Sequence, residues 1–244
     1  MHVFLLSLVQ HGLAPIRYHW KEILNHELQR HGKVSQKEHE FAMVVCLIEA
    51  AATSDKGCID ATVRLKKAGL LDPQALKEAT LDKIYDCIKE AGFGEISSKY
   101  LKENGAIIVD KFNGEVPRTA EGLMELRGIN RKAANVISAE IFGKIHGIAV
   151  DRHVHDVWIA LRGHKVPGWL KTSDVDHVEM SLRTFVSVFD YPMINPVMGG
   201  MAQLWTNMYG TVTGKEKIAK AALVIRAMGD HLCCLLYTSD AADD

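Results

Sequence analysis

Leu126-Arg127-Gly128-Ile129-Asn130-Arg131-Lys132-Ala133-Ala134-Asn135, followed by Gly147-Ile148-Ala149-Val150-Asp151-Arg152-His153-Val154-His155, decides how this sequence folds. The first run predicts two helices joined by a tight turn. Gly128 takes positive φ at no steric cost. Asn130 is among the few other residues that tolerate the left-handed region. Together they can reverse the chain within about four residues. The following helix then begins with backbone N–H groups that lack intrahelical partners, an arrangement suited to a phosphate. Arg127, Arg131 and Lys132 add positive charge there. Such a turn grips a nucleic-acid backbone without reading bases. On its own, a glycine-containing helical turn is an ordinary connection.

The second run supplies Asp151 nineteen positions after Lys132. Lys132 falls in the first turn of its helix, where the positive end of the dipole disfavours an ammonium. A neutral amine there can attack a sugar carbon and form a Schiff base, although phosphate contact is the commoner role of such a lysine. Asp151 precedes a helical run and suits an N-cap. A capping carboxylate stays ionised, so it can also move a proton or stabilise an oxocarbenium-like centre.

Outward from this pair, helical period dominates the chain. Helices are expected over 18–30, 40–53, 58–68, 73–78, 81–90 and 97–112, then from Thr119 to near Arg127 with Gly128 as C-cap. Further helices are expected over 131–142, 152–161, 173–188, 196–208 and 215–228. No stretch alternates with period 2, so the class is all-α. Short helices with brief connections favour a compact bundle. Gly163 to Gly168 is the best linker candidate. A net charge of −1 excludes a globally basic nucleic-acid binder, so any such contact rests on local patches. Cys46, Cys58, Cys87, Cys233 and Cys234 match no zinc or iron–sulfur spacing, and a reducing compartment follows. No run reaches the roughly 18 apolar residues that span a membrane. Residues 233–244 change composition abruptly and are expected to be a non-native tail.

The residues around Lys132 and Asp151 resemble the endonuclease III family of helix–hairpin–helix DNA glycosylases. Leu126 to Ala134 follows the family pattern L-P-G-V-G-[RP]-K-x-A, and Ile148 to Val154 follows I-A-V-D-T-H-V. Gly92-Phe93 with Ser98-Lys99, Gly114-Glu115-Val116-Pro117, and Phe41 to Thr53 also resemble family segments. The similarity covers roughly Trp20 to Asn207, and its form is closer to the eukaryotic branch.

The resemblance implies two helical domains, one over 40–145 and the other combining 1–39 with 146–232. DNA would lie in the cleft between them, with Lys132 and Asp151 on facing walls. It implies a bifunctional glycosylase and AP lyase of base excision repair, removing oxidised pyrimidines from double-stranded DNA. The damaged base is flipped out, Lys132 displaces it at C1′, and the imine permits β-elimination. Asp151 assists proton transfer. Arg127, Gly128, Ile129, Asn130, Arg131 and His153 would bind DNA. The implied partner is a duplex with damaged bases or abasic sites, bound by an intracellular monomer in nucleus, mitochondrion or bacterial cytoplasm. No membrane or metal partner is expected.

The sequence also departs from the family. Glu49-Ala50-Ala51-Ala52-Thr53-Ser54-Asp55 lacks the Gln that fills the gap left by the flipped base. Arg127 replaces a Pro, Asn130 a Gly, and Arg152 a Thr. The four cluster cysteines are missing near Thr206, so no iron–sulfur cluster is expected, and Trp205, Met208, Ile218, Leu223 and Ile225 would pack that region. A DNA-binding relative with weak or no glycosylase activity is the alternative reading. A metal-dependent hydrolase built on Asp151, His153, His155 and Asp156 is a third. It would need a strand to bring Asp151, His153 and His155 to one face. Tyr191, Trp169 and Trp205 suit core or interface packing, and Cys46 suits burial on an apolar helix.

Overall fold

The structure is a computed structural model that describes residues 15–50, 53–92, 94–162 and 175–209. Among the described residues every regular element is helical: α1 (Pro15–Gln29), α2 (Gln36–Glu49), α3 (Asp55–Lys67), α4 (Pro73–Glu78), α5 (Leu81–Ile88), α6 (Gly94–Phe112), α7 (Ala120–Met124), α8 (Arg131–Phe142), α9 (Arg152–Arg162), α10 (Val175–Arg183) and α11 (Tyr191–Tyr209). Two 3₁₀ turns, Lys89–Ala91 and Val188–Asp190, extend the series. The expected linker at 163–168, the helix over 215–228 and the tail at 233–244 lie outside the described residues. No helix among the described residues is long and apolar enough to cross a membrane.

The chain divides into two compact units. One spans His19–His146; the other gathers the described residues from Gly147 onward with the first turn of α1. In the first unit a side-chain oxygen closes most helix starts: Ser35 accepts from Glu38, Ser54 from Gly57, Asp72 from Ala75, Thr80 from Lys83 and Thr119 from Gly122. Each such cap satisfies one otherwise orphaned N–H. Apolar faces then drive α2 against α3, α4 and α5 against α6, and α8 against α7 and α2. The core they share includes Phe41, Met43, Val44, Leu65, Leu76, Ile84, Leu101, Ile108 and Ile137.

Two sequence expectations change here. Residues 19–39, assigned to the other domain, belong to the first unit, because Leu24 and Leu28 of α1 are fully buried in its core. The helix expected to run from Thr119 to near Arg127 stops at Met124, with Glu125 as C-cap. Gly128 is therefore a turn residue beyond the helix and not its cap.

In the second unit α9 packs against α10 and α11. Val154, Val157, Trp158, Val178, Leu182, Ile194, Val197 and Met198 are buried. The indole Nε1 of Trp158 donates to Ser181 Oγ at 3.2 Å, and its ring meets Phe185 at 5.5 Å between centroids. The helix expected from Pro196 instead starts at Tyr191 and passes through that proline. Proline inside a helix loses a hydrogen bond and crowds the preceding turn. Burial of Ile194, Val197 and Met198 on one apolar face outweighs this cost.

Candidate active site

The hairpin between α7 and α8 is built from three local devices. Gly128 has φ +81°, the left-handed conformation expected of it. A Cβ on Gly128 would lie 3.1 Å from Tyr100 Cδ2 and 3.5 Å from Ile48 Cγ2, so the turn also packs closely on α6 and α2. Asn130 does not use the left-handed region. Its φ of −95° and ψ of 177° are extended, and its side chain accepts from Ala133 N at 3.0 Å. The reversal needs one left-handed residue, and the asparagine serves as N-cap of α8 instead. The Ile129 amide donates to Leu126 O at 3.2 Å and closes the turn.

The third device was not read from the sequence. Asn104 of α6 is fully buried; its Oδ1 accepts from Arg127 N at 2.6 Å and its Nδ2 donates to Arg127 O at 2.9 Å. One buried amide side chain thus pairs with both backbone groups of Arg127 at the start of the turn and ties the hairpin to α6. The signal was present: an asparagine in the stripe of Leu101 and Ile108, where an apolar residue belongs.

On this frame Arg131 is exposed, Lys132 is half-buried in the first turn of α8, and Ala133 and Ala134 face the core. The Arg127 guanidinium Nε donates to Glu103 Oε2 at 3.1 Å. Both side chains are largely exposed, so the pair is weak, yet it draws one expected phosphate contact toward an acid. Beside the turn, Glu49 ends α2 with its side chain fully buried and neither oxygen hydrogen-bonded. Burial pushes this carboxyl up to about 7, offset in part by the nearby Ser97 hydroxyl and Arg64 charge. Ala51, where the family glutamine would stand, lies outside the described residues.

Asp151 and His153 belong to the second unit. Asp151 caps α9: its Oδ1 accepts from Val154 N at 2.9 Å and its carbonyl accepts from His155 N at 2.9 Å. Asp151 and His153 are both half-buried. His155 Nδ1 lies 3.2 Å from Asp156 Oδ1, while Arg152 is exposed. Because Arg152 to Arg162 is helical, Asp151, His153 and His155 do not share the single face a strand would give them. Among the described residues no group of three or more His, Cys, Asp or Glu could hold a metal ion.

Four convergent thiolates would be needed for an iron–sulfur cluster. The described cysteines do not fit one. Cys46 and Cys58 are buried on neighbouring helices with their sulfurs 3.2 Å apart, and Cys87 lies on α5. From Thr206 onward the sequence carries two cysteines, Cys233 and Cys234.

A cavity of about 390 Å³ opens at the other end of α2, lined in part by Ser35, Lys37, Glu40, Lys66, Asp72 and Glu115. Most of its charged side chains are ion-paired, Glu40 with Arg118 from outside the lining. Lys66 meets Glu38 at 2.5 Å, Lys37 meets Glu115 at 2.8 Å, and Arg118 meets Glu40 at 3.3 Å.

A family model described as HhH-GPD superfamily base excision DNA repair protein matches residues 45–173, which include the hairpin, Lys132 and Asp151. Endonuclease III homolog 1, chloroplastic, of Arabidopsis thaliana is 28% identical over 172 residues, covering 68% of this chain and 44% of that protein. The chain thus spans less than half the length of that relative. Endonuclease III of Thermotoga maritima is 27% identical over 183 residues, covering 75% of this chain and 81% of that protein. A solved structure of a trapped endonuclease III–DNA covalent intermediate superposes with a TM-score of 0.57 at 27% identity, over 76% of this chain and 84% of that one. With the matched residues making up more than half of its length, this chain belongs to the HhH-GPD superfamily of base excision DNA repair proteins.

Proposed function

We propose that the protein is a bifunctional DNA glycosylase and AP lyase that removes oxidised pyrimidines from double-stranded DNA and acts as a monomer without an iron–sulfur cluster. The observation that carries this reading is the position of Lys132. It is half-buried in the first turn of α8, directly after a hairpin held by Gly128, Asn104 and the Asn130 cap. The exposed amide end of α8 and Arg131 suit a DNA phosphate. The hairpin would hold the strand, with His153 as a further backbone contact.

In the proposed reaction the flipped nucleotide presents C1′ to the Lys132 amine. The C1′–N bond to the base breaks, the base leaves with a proton, and a C1′–N bond to Lys132 Nζ forms. Ring opening gives the Schiff base, and loss of a C2′ proton expels the 3′ phosphate. Asp151 would accept or return protons and stabilise positive charge at C1′. A structurally similar endonuclease III has been solved as a trapped covalent intermediate with DNA, which supports a covalent step in the proposed reaction.

Borohydride reduction on a duplex with an abasic site tests the reading directly. The wild-type protein should yield a covalent band. Lys132→Gln should give none while holding the duplex with nearly unchanged affinity. Cleavage by Lys132→Gln at the wild-type rate removes the nucleophile assignment. Specific binding with no covalent band from the wild-type chain favours the non-catalytic relative, a reading encouraged by Ala50-Ala51-Ala52 where a base-replacing glutamine is expected.

A further inference from the structure

The residues just before Asp151 pose an accounting question. Gly147, Ile148, Ala149 and Val150 are all buried, and none lies in a helix. Buried backbone outside regular structure must find hydrogen-bond partners elsewhere. Two side chains of the same unit provide them. Glu179 of α10 is only 9% exposed, and its Oε1 accepts from the Ile148 amide at 3.0 Å. Asn195 of α11, equally buried, donates from Nδ2 to the Ala149 carbonyl at 2.8 Å. The Val150 amide then turns back to Ile148 O at 2.9 Å.

Glu179 is itself held. Arg183, one helical turn on, donates to its Oε1 from Nε at 3.1 Å and from Nη2 at 2.5 Å, and the guanidinium lies 5.6 Å from the centre of the Tyr191 ring. Asp151 is therefore fixed from both sides. Downstream its own carboxylate caps α9. Upstream two buried polar side chains grip the preceding backbone. Neither Glu179 nor Asn195 is needed to make a helix, and a carboxylate at this depth is costly unless it is paired.

We propose that Glu179 and Asn195 are positioning residues for Asp151, setting the place and direction of its carboxylate. The proposal rests on the role of Asp151 given above. Displacing a reacting group by about 1 Å can cost on the order of 100-fold in rate without touching binding. Removing either grip should therefore slow base release and leave DNA affinity in place.

A kinetic double-mutant cycle tests this on the full chain. Base release is followed under single-turnover conditions on a duplex carrying one oxidised pyrimidine. Affinity is read by fluorescence anisotropy with a duplex carrying a tetrahydrofuran abasic analogue. Glu179→Ala should slow base release about 10- to 100-fold with affinity unchanged within about threefold. Glu179→Gln keeps an acceptor oxygen for the Ile148 amide and should recover most of that loss. In an Asp151→Asn background, Glu179→Ala should cost nothing further. Should Glu179→Ala fail to fold, Asn195→Ala runs the same cycle with the same expectation. Equal losses in the wild-type and Asp151→Asn backgrounds, or no recovery with Glu179→Gln, overturn the positioning role while leaving Asp151 catalytic. An Asp151→Asn variant that releases base at the wild-type rate instead overturns the role of Asp151 itself, and the positioning role with it.

Discussion

Replacing Glu49 by glutamine should stabilise the protein in mild alkali and do almost nothing in acid. The carboxyl is fully buried at the end of α2, and neither oxygen has a hydrogen-bond partner. Burial raises it from 4.5 to about 7. In the unfolded chain the same group titrates near its ordinary value. Below about pH 4.5 both states hold the proton and no charge is buried. Between 4.5 and 7 the folded state keeps a proton that the unfolded state has released, so stability falls as pH rises. Above about 7 the folded state carries a buried charge and the penalty levels off. At about 1.36 kcal/mol per pH unit, a rise of this size amounts to about 3 kcal/mol at full development. Glutamine has nearly the same shape and cannot ionise. Glu49→Gln should therefore add about 1–3 kcal/mol at pH 8 and less than about 0.5 kcal/mol at pH 4.5. Urea unfolding followed by far-ultraviolet circular dichroism at the two pH values measures this, provided the slope m is unchanged. Equal stabilisation at both pH values, or a loss at pH 8, would refute the assignment of Glu49 as a buried, unpaired acid.

Other substitutions test the frame around the hairpin. Asn104→Ala strips both backbone groups of Arg127 of their partner, and should cost about 2–4 kcal/mol in urea unfolding and weaken duplex binding in anisotropy. Gly105→Ala places a Cβ 2.6 Å from Pro73 O and 2.9 Å from Lys77 N, backbone atoms that cannot step aside. It should destabilise by about 1–3 kcal/mol, whereas a gain of the kind usual for glycine to alanine in a helix would contradict the tight α4–α6 contact. Glu103→Gln releases Arg127 from its ion pair. Duplex affinity should rise, and the salt dependence of log K should steepen by up to about one unit; an unchanged slope would mean that Arg127 does not reach the phosphates.

Much of this protein is written locally. Arg131–Phe142 and Pro73–Glu78 have the helix limits their sequences predict. The reason is that Asn130 and Asp72 carry the oxygens that start these helices, and Gly143 adopts the left-handed conformation that ends α8. Gly128 at φ +81° is equally local, since a turn that reverses the chain there favours a residue without a Cβ. The family and the helical class follow from residue types at fixed spacing.

Tertiary structure decided what spacing cannot carry. Pro196 sits inside a helix because the burial of Ile194, Val197 and Met198 outweighs its local cost. Residues 19–39 join the first unit because Leu24 and Leu28 find their core there. Asn104, Glu179 and Asn195 matter through hydrogen bonds to backbone 23, 31 and 46 positions away. Periodicity reports which face of a helix is buried, but not which distant amide or carbonyl a buried polar side chain will meet. That depends on how the helices pack, and only the folded chain fixes it.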